Sequence, residues 1–373
     1  MYAKLGFDFY GHGNTGDDMM LAGFLEIWPK SRPLFCKVDR LQRLILKLRF
    51  PAVRWIVEGE QEPDYDLWLG VGDTPIQVLS GLFFLEYLEI EVEAARRKGA
   101  KIAMIGVGAE SDAARQKARF SALLAKVDLI STRDDATQEL LVGEFSVDPG
   151  KIVCGEDLAH IYLQRAMAEA PDVDERPLEV AVNYYAEKMS RRESFSVLRW
   201  LGRQQSAART VAYLSNEARL MPGMEARRYA ELAWYTCLGR HRDAIALVTP
   251  NRWALGLESM VSHFATIQTV LSSRYHCLLS AAWSGCRIFG LGRSSKVETL
   301  CRGMDVGYSL ERRVCDDVLE RGTRLAKQVP KMLLDSKAER SREAVRLVLA
   351  RLFPGNEPLG AGAGLGNQKD AAP

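Results

Sequence analysis

The sequence predicts an α/β protein of two Rossmann-like domains facing a cleft, a GT-B-like arrangement. Three observations carry that expectation. Short apolar runs alternate with helical patterns at the spacing of parallel β-α-β units. Glycine-rich or polar loops follow those runs, where ligands collect in such sheets. The theme stops at a proline-containing acidic stretch, residues 168–177, and then restarts. This divides the chain into an N-terminal domain (1–167, the acceptor side), a linker (168–177), a C-terminal domain with a closing helix (178–353, the donor side) and a disordered tail (354–373). A chain of 373 residues has room for two domains, and 47% hydrophobic with 26% charged residues excludes disordered, collagen-like and rod-like proteins.

In chain order, the apolar run Lys4–Tyr10 leads into Gly11-His12-Gly13-Asn14-Thr15-Gly16, and residues 17–28 read as a helix opened by acidic residues. Tyr65–Leu69 leads into Gly70-Val71-Gly72-Asp73. Lys101–Ile105 leads into Gly106-Val107-Gly108 and a helix over 111–126. Val127–Ile130 leads into Ser131-Thr132-Arg133-Asp134 and a helix over 136–142. Ile152–Cys154 leads into Gly155-Glu156-Asp157. In the second half, strands are expected at 178–183, 244–249, 266–271 and 287–291, with a small-residue helix over 277–284 ended by Gly285. Past Gly303 the pattern fades, until an amphipathic helix over 337–353.

Composition narrows the function. The net charge is +2, from 50 basic and 48 acidic residues, so no global electrostatic hold on nucleic acid is expected. Seven cysteines without a C-x-x-C pair argue against a disulfide framework or a structural zinc. No signal peptide and no apolar run of about 18 residues stands out, so a reduced, cytoplasmic protein is expected. Residues 37–54 carry six basic residues and one acidic, interleaved with apolar ones. That stretch reads either as peripheral contact with the inner face of an anionic membrane or as an ordinary helix whose apolar face is core.

Gly11-x-Gly13-x-x-Gly16 matches the dinucleotide fingerprint, but Asp17 and Asp18 stand where a pyrophosphate would sit and would repel it. With Asn14, they suit sugar hydroxyls, or they cap a helix while the glycines make a turn. Ser272-Ser273-Arg274-Tyr275-His276 lies between a strand and a small-residue helix. Arg274 there would bind carboxylate or phosphate, and His276 could exchange a proton near neutral pH. His160, His241 and His263 lack such company and read as structural. Lys296, after the next strand, adds a point charge to the same anion site or is simply solvated. Arg133 faces the cleft or pairs with Asp134 or Asp135. Together Arg133, Arg274 and Lys296 would form a cationic pocket for a small, multiply charged anion, with His276 as its acid. No metal-binding spacing, Walker A loop or nucleophile elbow occurs.

Three segments resemble the polysaccharide pyruvyl transferase family: Gly13-Asn14-Thr15-Gly16-Asp17-Asp18 with Leu21 and Gly23; Asp128–Asp134 with Gly155–Ala159; and Ser273–His276 with Gly285–Ile288 and Lys296. Their order and spacing agree over residues 8–305. The resemblance implies a GT-B-like fold, and transfer of the enolpyruvyl-derived group of phosphoenolpyruvate to a saccharide of a cell-surface polysaccharide or its lipid-linked precursor, as a pyruvate ketal. It implies a donor site of Arg274, Lys296, Arg133 and Ser273. His276 would be the acid, and Asp17 or Asp18 the group that orients the acceptor or takes its proton. Asn14, Gly13 and Gly16 would lie on the acceptor side. It implies no cofactor and no metal, because cationic side chains neutralise the donor. Two departures stand out: Gly70-Val71-Gly72-Asp73 replaces a longer glycine run, and Tyr275 stands where the family has leucine. The rivals are a GT-B glycosyltransferase using a nucleotide sugar and a non-catalytic glycan-binding relative.

Overall fold

The computed structural model describes residues 1–78, 81–169, 175–184, 191–216, 246–248, 261–292, 295–311 and 314–354. The expected strand over 244–249 is described at 246–248; the middle of the linker (170–174), His241 and the tail beyond residue 354 lie outside the described residues.

The first half is one parallel sheet with helices on it. In order come β1 (Tyr2–Leu5), α1 (Thr15–Ile27), β2 (Leu34–Lys37), α2 (Arg40–Arg49), β3 (Val53–Ile56), β4 (Tyr65–Val71), α3 (Phe83–Arg97), β5 (Lys101–Val107), α4 (Lys117–Ala125), β6 (Leu129–Thr132), α5 (Asp135–Gly143), β7 (Ile152–Cys154) and α6 (Ala159–Glu169). The strands lie in the order β3-β2-β1-β4-β5-β6-β7. The interior strands read as unbroken apolar runs, such as Ile102–Val107, because helices cover both faces of a parallel sheet.

The second half repeats the plan. It contains β8 (Leu178–Asn183), α7 (Arg191–Ser206), β9 (Val211–Leu214), β10 (Ala246–Val248), β11 (Ile267–Ser272), α8 (Tyr275–Trp283), β12 (Arg287–Leu291), α9 (Ser295–Gly303), β13 (Tyr308–Ser309), α10 (Asp316–Leu325), β14 (Lys327–Gln328) and α11 (Lys331–Leu352). The order is β10-β9-β8-β11-β12-β13, with β14 antiparallel to β12.

Each sheet reverses its strand order once, between β1 and β4 and between β8 and β11. Such switch points open a crevice beyond the carboxyl ends of the strands. The Gly11–Gly16 loop follows β1, Gly72-Asp73 follows β4, and Ser273-Arg274 follows β11.

The closing helix belongs elsewhere than expected. Instead of completing the second domain, α11 crosses back to the first and packs on α6, β5, β6 and β7. Its Val345, Val348 and Leu349 join the core of the first sheet, and Lys101 Nζ donates to the Leu352 carbonyl at its C-terminus. An amphipathic pattern identifies a buried face but not its partner. The same core continues across the domain seam, where α1 and α6 pack on α8. A separate core lies beneath α7 and α10.

Candidate active site

The site forms where the two switch points meet. From the first domain, α1 begins at Asn14, whose side chain accepts from the Gly16 amide at 3.3 Å. Gly16 has a second role. A Cβ added there would stand 2.0 Å from His276 Nδ1, so only glycine lets the start of α1 approach that ring. On its other side, His276 Nε2 lies 3.3 Å from Asp157 Oδ2. His276, on the first turn of α8, is thus held between two elements of the first domain. Thr15 and Asn216 close the seam alongside, with Asn216 Nδ2 donating to Thr15 Oγ1 at 3.0 Å.

Asp157 is the residue that sequence reasoning missed. It lies in the matched segment Gly155–Ala159, yet nothing local reveals that it faces a histidine 119 positions away. Its carboxylate is fully buried, and Oδ1 accepts from the Ala159 amide at 2.8 Å, capping the start of α6. Burial alone would raise its pKa. The His276 charge and hydrogen bond, with help from Arg133 and the Ala159 amide, outweigh burial and bring it down to about 2.

Arg133 follows β6 and is buried. Its guanidinium carbon lies 5.1 Å from the ring centroid of Tyr275, and its Nε is 3.4 Å from Asp134 Oδ2. Arg133 thus touches Tyr275 of the second domain as well as its neighbour Asp134. Tyr275, the departure from the family's leucine, supplies the face on which Arg133 rests. Gly108 gives the guanidinium room, since a Cβ there would come within 2.4 Å of its carbon. Burial works against Arg133's charge, yet Tyr275 and the carboxylates of Asp134, Asp157 and Asp73 outweigh it and raise its pKa.

Lys296, on the first turn of α9, feels the same groups. Burial first, and then Arg133, hold its ammonium below the ordinary lysine value, against opposition from Asp73, Glu110 and Asp17. The neighbouring Ser295 hydroxyl donates to Glu110 of the first domain. Asp73 is a second residue the sequence did not single out. It takes a left-handed backbone (φ 61°), which turns the loop after β4 toward this cluster.

The two aspartates of α1 separate. Asp18 points away from the cleft: it accepts from the Gly11 amide at 2.8 Å and pairs with Arg49 of α2 at 2.5 Å. Both its oxygens are used in holding the glycine loop to α2, which argues against a role for Asp18 in the chemistry. Asp17 faces the cluster. It is buried, its Oδ1 has no hydrogen-bond partner among the described residues, and its pKa is raised well above the carboxylate range by burial and then by Asp73 and Asp18.

Arg274 caps α8, and its amide donates to Ser272 Oγ at 2.9 Å. Its side chain is half-buried. Ser273 is buried at the end of β11, its amide donating to the Asn183 carbonyl at 3.1 Å. Gly13 lies buried in the turn before Asn14. His160 sits in the core, where Nδ1 accepts from Trp283 Nε1 at 3.0 Å and burial lowers its pKa to about 3.

The arrangement brings groups of both domains together: the cations of Arg133 and Lys296, a histidine fixed by a carboxylate, and one buried carboxyl whose Oδ1 has no hydrogen-bond partner among the described residues. That is the equipment for holding a small anion while moving protons.

Comparison with known proteins identifies the family and the fold. The profile of the polysaccharide pyruvyl transferase family matches residues 14–295, and the chain belongs to that family. No curated protein sequence matches it. Among solved structures it is similar to the S. aureus MnaA–UDP co-structure, with TM-score 0.61, 11% identity, and coverage of 94% of this chain and 96% of that one. It is similar to UDP-GlcNAc 2-epimerase from Neisseria meningitidis bound to UDP-GlcNAc, with TM-score 0.58, 10% identity, and 94% and 99% coverage. It is also similar to UDP-N-acetylglucosamine 2-epimerase from Rickettsia bellii, with TM-score 0.56, 10% identity, and 94% and 95% coverage. At such identities the likeness establishes the two-domain, GT-B-like fold alone. The chain is therefore a member of a transferase family on a GT-B-like frame.

Proposed function

We propose that this protein transfers the enolpyruvyl-derived group of phosphoenolpyruvate to a saccharide of a cell-surface polysaccharide or its lipid-linked precursor, leaving a pyruvate ketal. The observation that carries the reading is the meeting of Arg133, from the first domain, with Lys296 and the Asp157-bound His276 at the seam, within a chain of this family. Phosphoenolpyruvate is small and multiply anionic, and one phosphate and one carboxylate match a pocket with separate cationic groups.

In the proposed reaction Arg133, Lys296 and Arg274 hold the phosphate and carboxylate, with Ser273 beside Arg274. His276 gives a proton to the methylene carbon, and the adjacent carbon becomes oxocarbenium-like. A hydroxyl of the saccharide attacks that carbon, and Asp17 takes the hydroxyl's proton. The carbon–oxygen bond to phosphate then breaks, a second hydroxyl closes the ketal, and its proton leaves with inorganic phosphate. Asp157 orients His276 and balances its positive charge before transfer. Asn14, Gly13 and Gly16 place the acceptor against Asp17. The cationic side chains supply the charge neutralisation that the donor needs.

The test is turnover. The protein is incubated with phosphoenolpyruvate and a panel of saccharides, with release of phosphate and the proton NMR methyl signal of a ketal as readouts. Acceptor-dependent release that falls by about 10²–10⁴-fold in His276→Ala supports the assignment of the acid. Full turnover in that variant removes it. A protein inert with phosphoenolpyruvate but active with a nucleotide sugar would be a glycosyltransferase instead.

A further inference from the structure

The basic segment 37–54 resolves into the end of β2, the whole of α2 and the start of β3. Its apolar residues divide into two sets. Ile45 and Leu46 face the core, while Leu41, Leu44 and Leu48, spaced i, i+3 and i+7, share the opposite face and are 59%, 64% and 63% exposed. Three leucines in one exposed row are more than scattered surface residues explain. Arg40 and Lys47 flank the row on the same exposed side; neither is in an ion pair within 4 Å among the described residues, and the carboxylate that Lys47 feels, Glu60, is already paired with Arg43. The helix contains no acidic residue.

We propose that α2 is a membrane-docking helix, which lays Leu41, Leu44 and Leu48 into the interface of an anionic bilayer while Arg40 and Lys47 meet lipid phosphates. Charge selects this occupant over a second copy of the chain. A self-pairing of the leucine row would bring Arg40 and Lys47 against their own copies, whereas an anionic surface attracts them.

The attachment is rigid and leads to the site. Gln42 Nε2 donates to the carbonyls of Asp8 and Tyr10 at 2.5 and 2.8 Å, and Arg49 holds Asp18. Docking α2 therefore fixes the Gly11–Gly16 loop, and with it the mouth of the cleft, close to the lipid surface. The inference concerns location and holds whatever group the site transfers.

The experiment is co-sedimentation of the full chain with vesicles of phosphatidylcholine containing about 40 mol% phosphatidylglycerol, against pure phosphatidylcholine. Binding to the anionic vesicles, weakened by salt, is expected. The triple variant Leu41→Gln/Leu44→Gln/Leu48→Gln should reduce partitioning by at least about tenfold, and Arg40→Gln/Lys47→Gln by about fivefold per charge removed. These positions are exposed, so the thermal midpoint should stay within about 2 °C of the parent, showing that the variants fold. Equal binding by parent and triple variant, or no binding by the parent, overturns the proposal. So does a dimer in solution that the triple variant abolishes, since the row would then be a self-interface.

Discussion

Asn at position 157 isolates one charge. Asp157→Asn keeps the shape, and its side-chain oxygen can still accept from the Ala159 amide that caps α6. What it removes is the negative charge facing His276 and Arg133. The pKa of Asp157 falls from 3.8 to about 2, nearly two units, and each unit is worth about 1.4 kcal/mol of preference for the charged form in the folded protein. The variant should therefore lose about 2 kcal/mol of stability near neutral pH, or roughly 4–8 °C in thermal midpoint for domains of this size. The sign with pH follows. A carboxyl whose folded pKa is depressed contributes fully above its unfolded value, 3.8, and loses the contribution as pH falls through about 2. The gap between parent and variant should narrow over that window. Activity should fall by about 10²-fold or more, because His276 loses the group that orients it. Urea unfolding at neutral and acid pH, alongside turnover, makes the check. A variant as stable and active as its parent would refute the idea that Asp157 holds His276 in place across the seam.

Other outcomes follow from the same contacts. Gly16→Ala puts a methyl within 2.0 Å of His276 Nδ1, and since the ring is held by Asp157 on its other side, overpacking should cost about 1–3 kcal/mol in urea unfolding and also lower turnover. His160 is buried with a pKa lowered from 6.5 to about 3, so its contribution is intact above 6.5 and is lost as pH falls toward 3. His160→Gln should flatten the pH–stability curve in that window. Lys296 is held below the ordinary lysine value, so donor affinity should fall as pH rises through that lowered pKa, earlier than for an exposed lysine. Calorimetric titration of Lys296→Met with phosphoenolpyruvate should show weaker binding without that step.

Much of this was legible in the sequence, because alternation of apolar runs with helical periodicity is a local signal. The runs over 65–69, 101–105 and 178–183 correspond to β4, β5 and β8, whereas the run over 4–10 takes in only the end of β1 and the loop that leaves it. The loops carrying Arg133 and His276 could be placed at strand ends for the same reason. What the sequence withheld is long-range. The pairing of Asp157 with His276 and the return of α11 to the first sheet join residues far apart in the chain. The separation of Asp17 from Asp18 depends on Arg49, a residue of the basic segment with no local link to the glycine loop. The exposure of one row of leucines on α2, and the burial of its neighbours Ile45 and Leu46, is likewise decided by packing and not by composition.

The most direct test of the central claim is donor recognition, which requires no knowledge of the acceptor. The thermal midpoint is measured with phosphoenolpyruvate and, separately, with nucleotide sugars, for the parent, Lys296→Met and Arg274→Ala. A ligand at about 100 times its dissociation constant adds about 2.7 kcal/mol, enough for a shift of several degrees. The account predicts a shift with phosphoenolpyruvate that shrinks or disappears in both variants. A shift produced only by nucleotide sugars would contradict it.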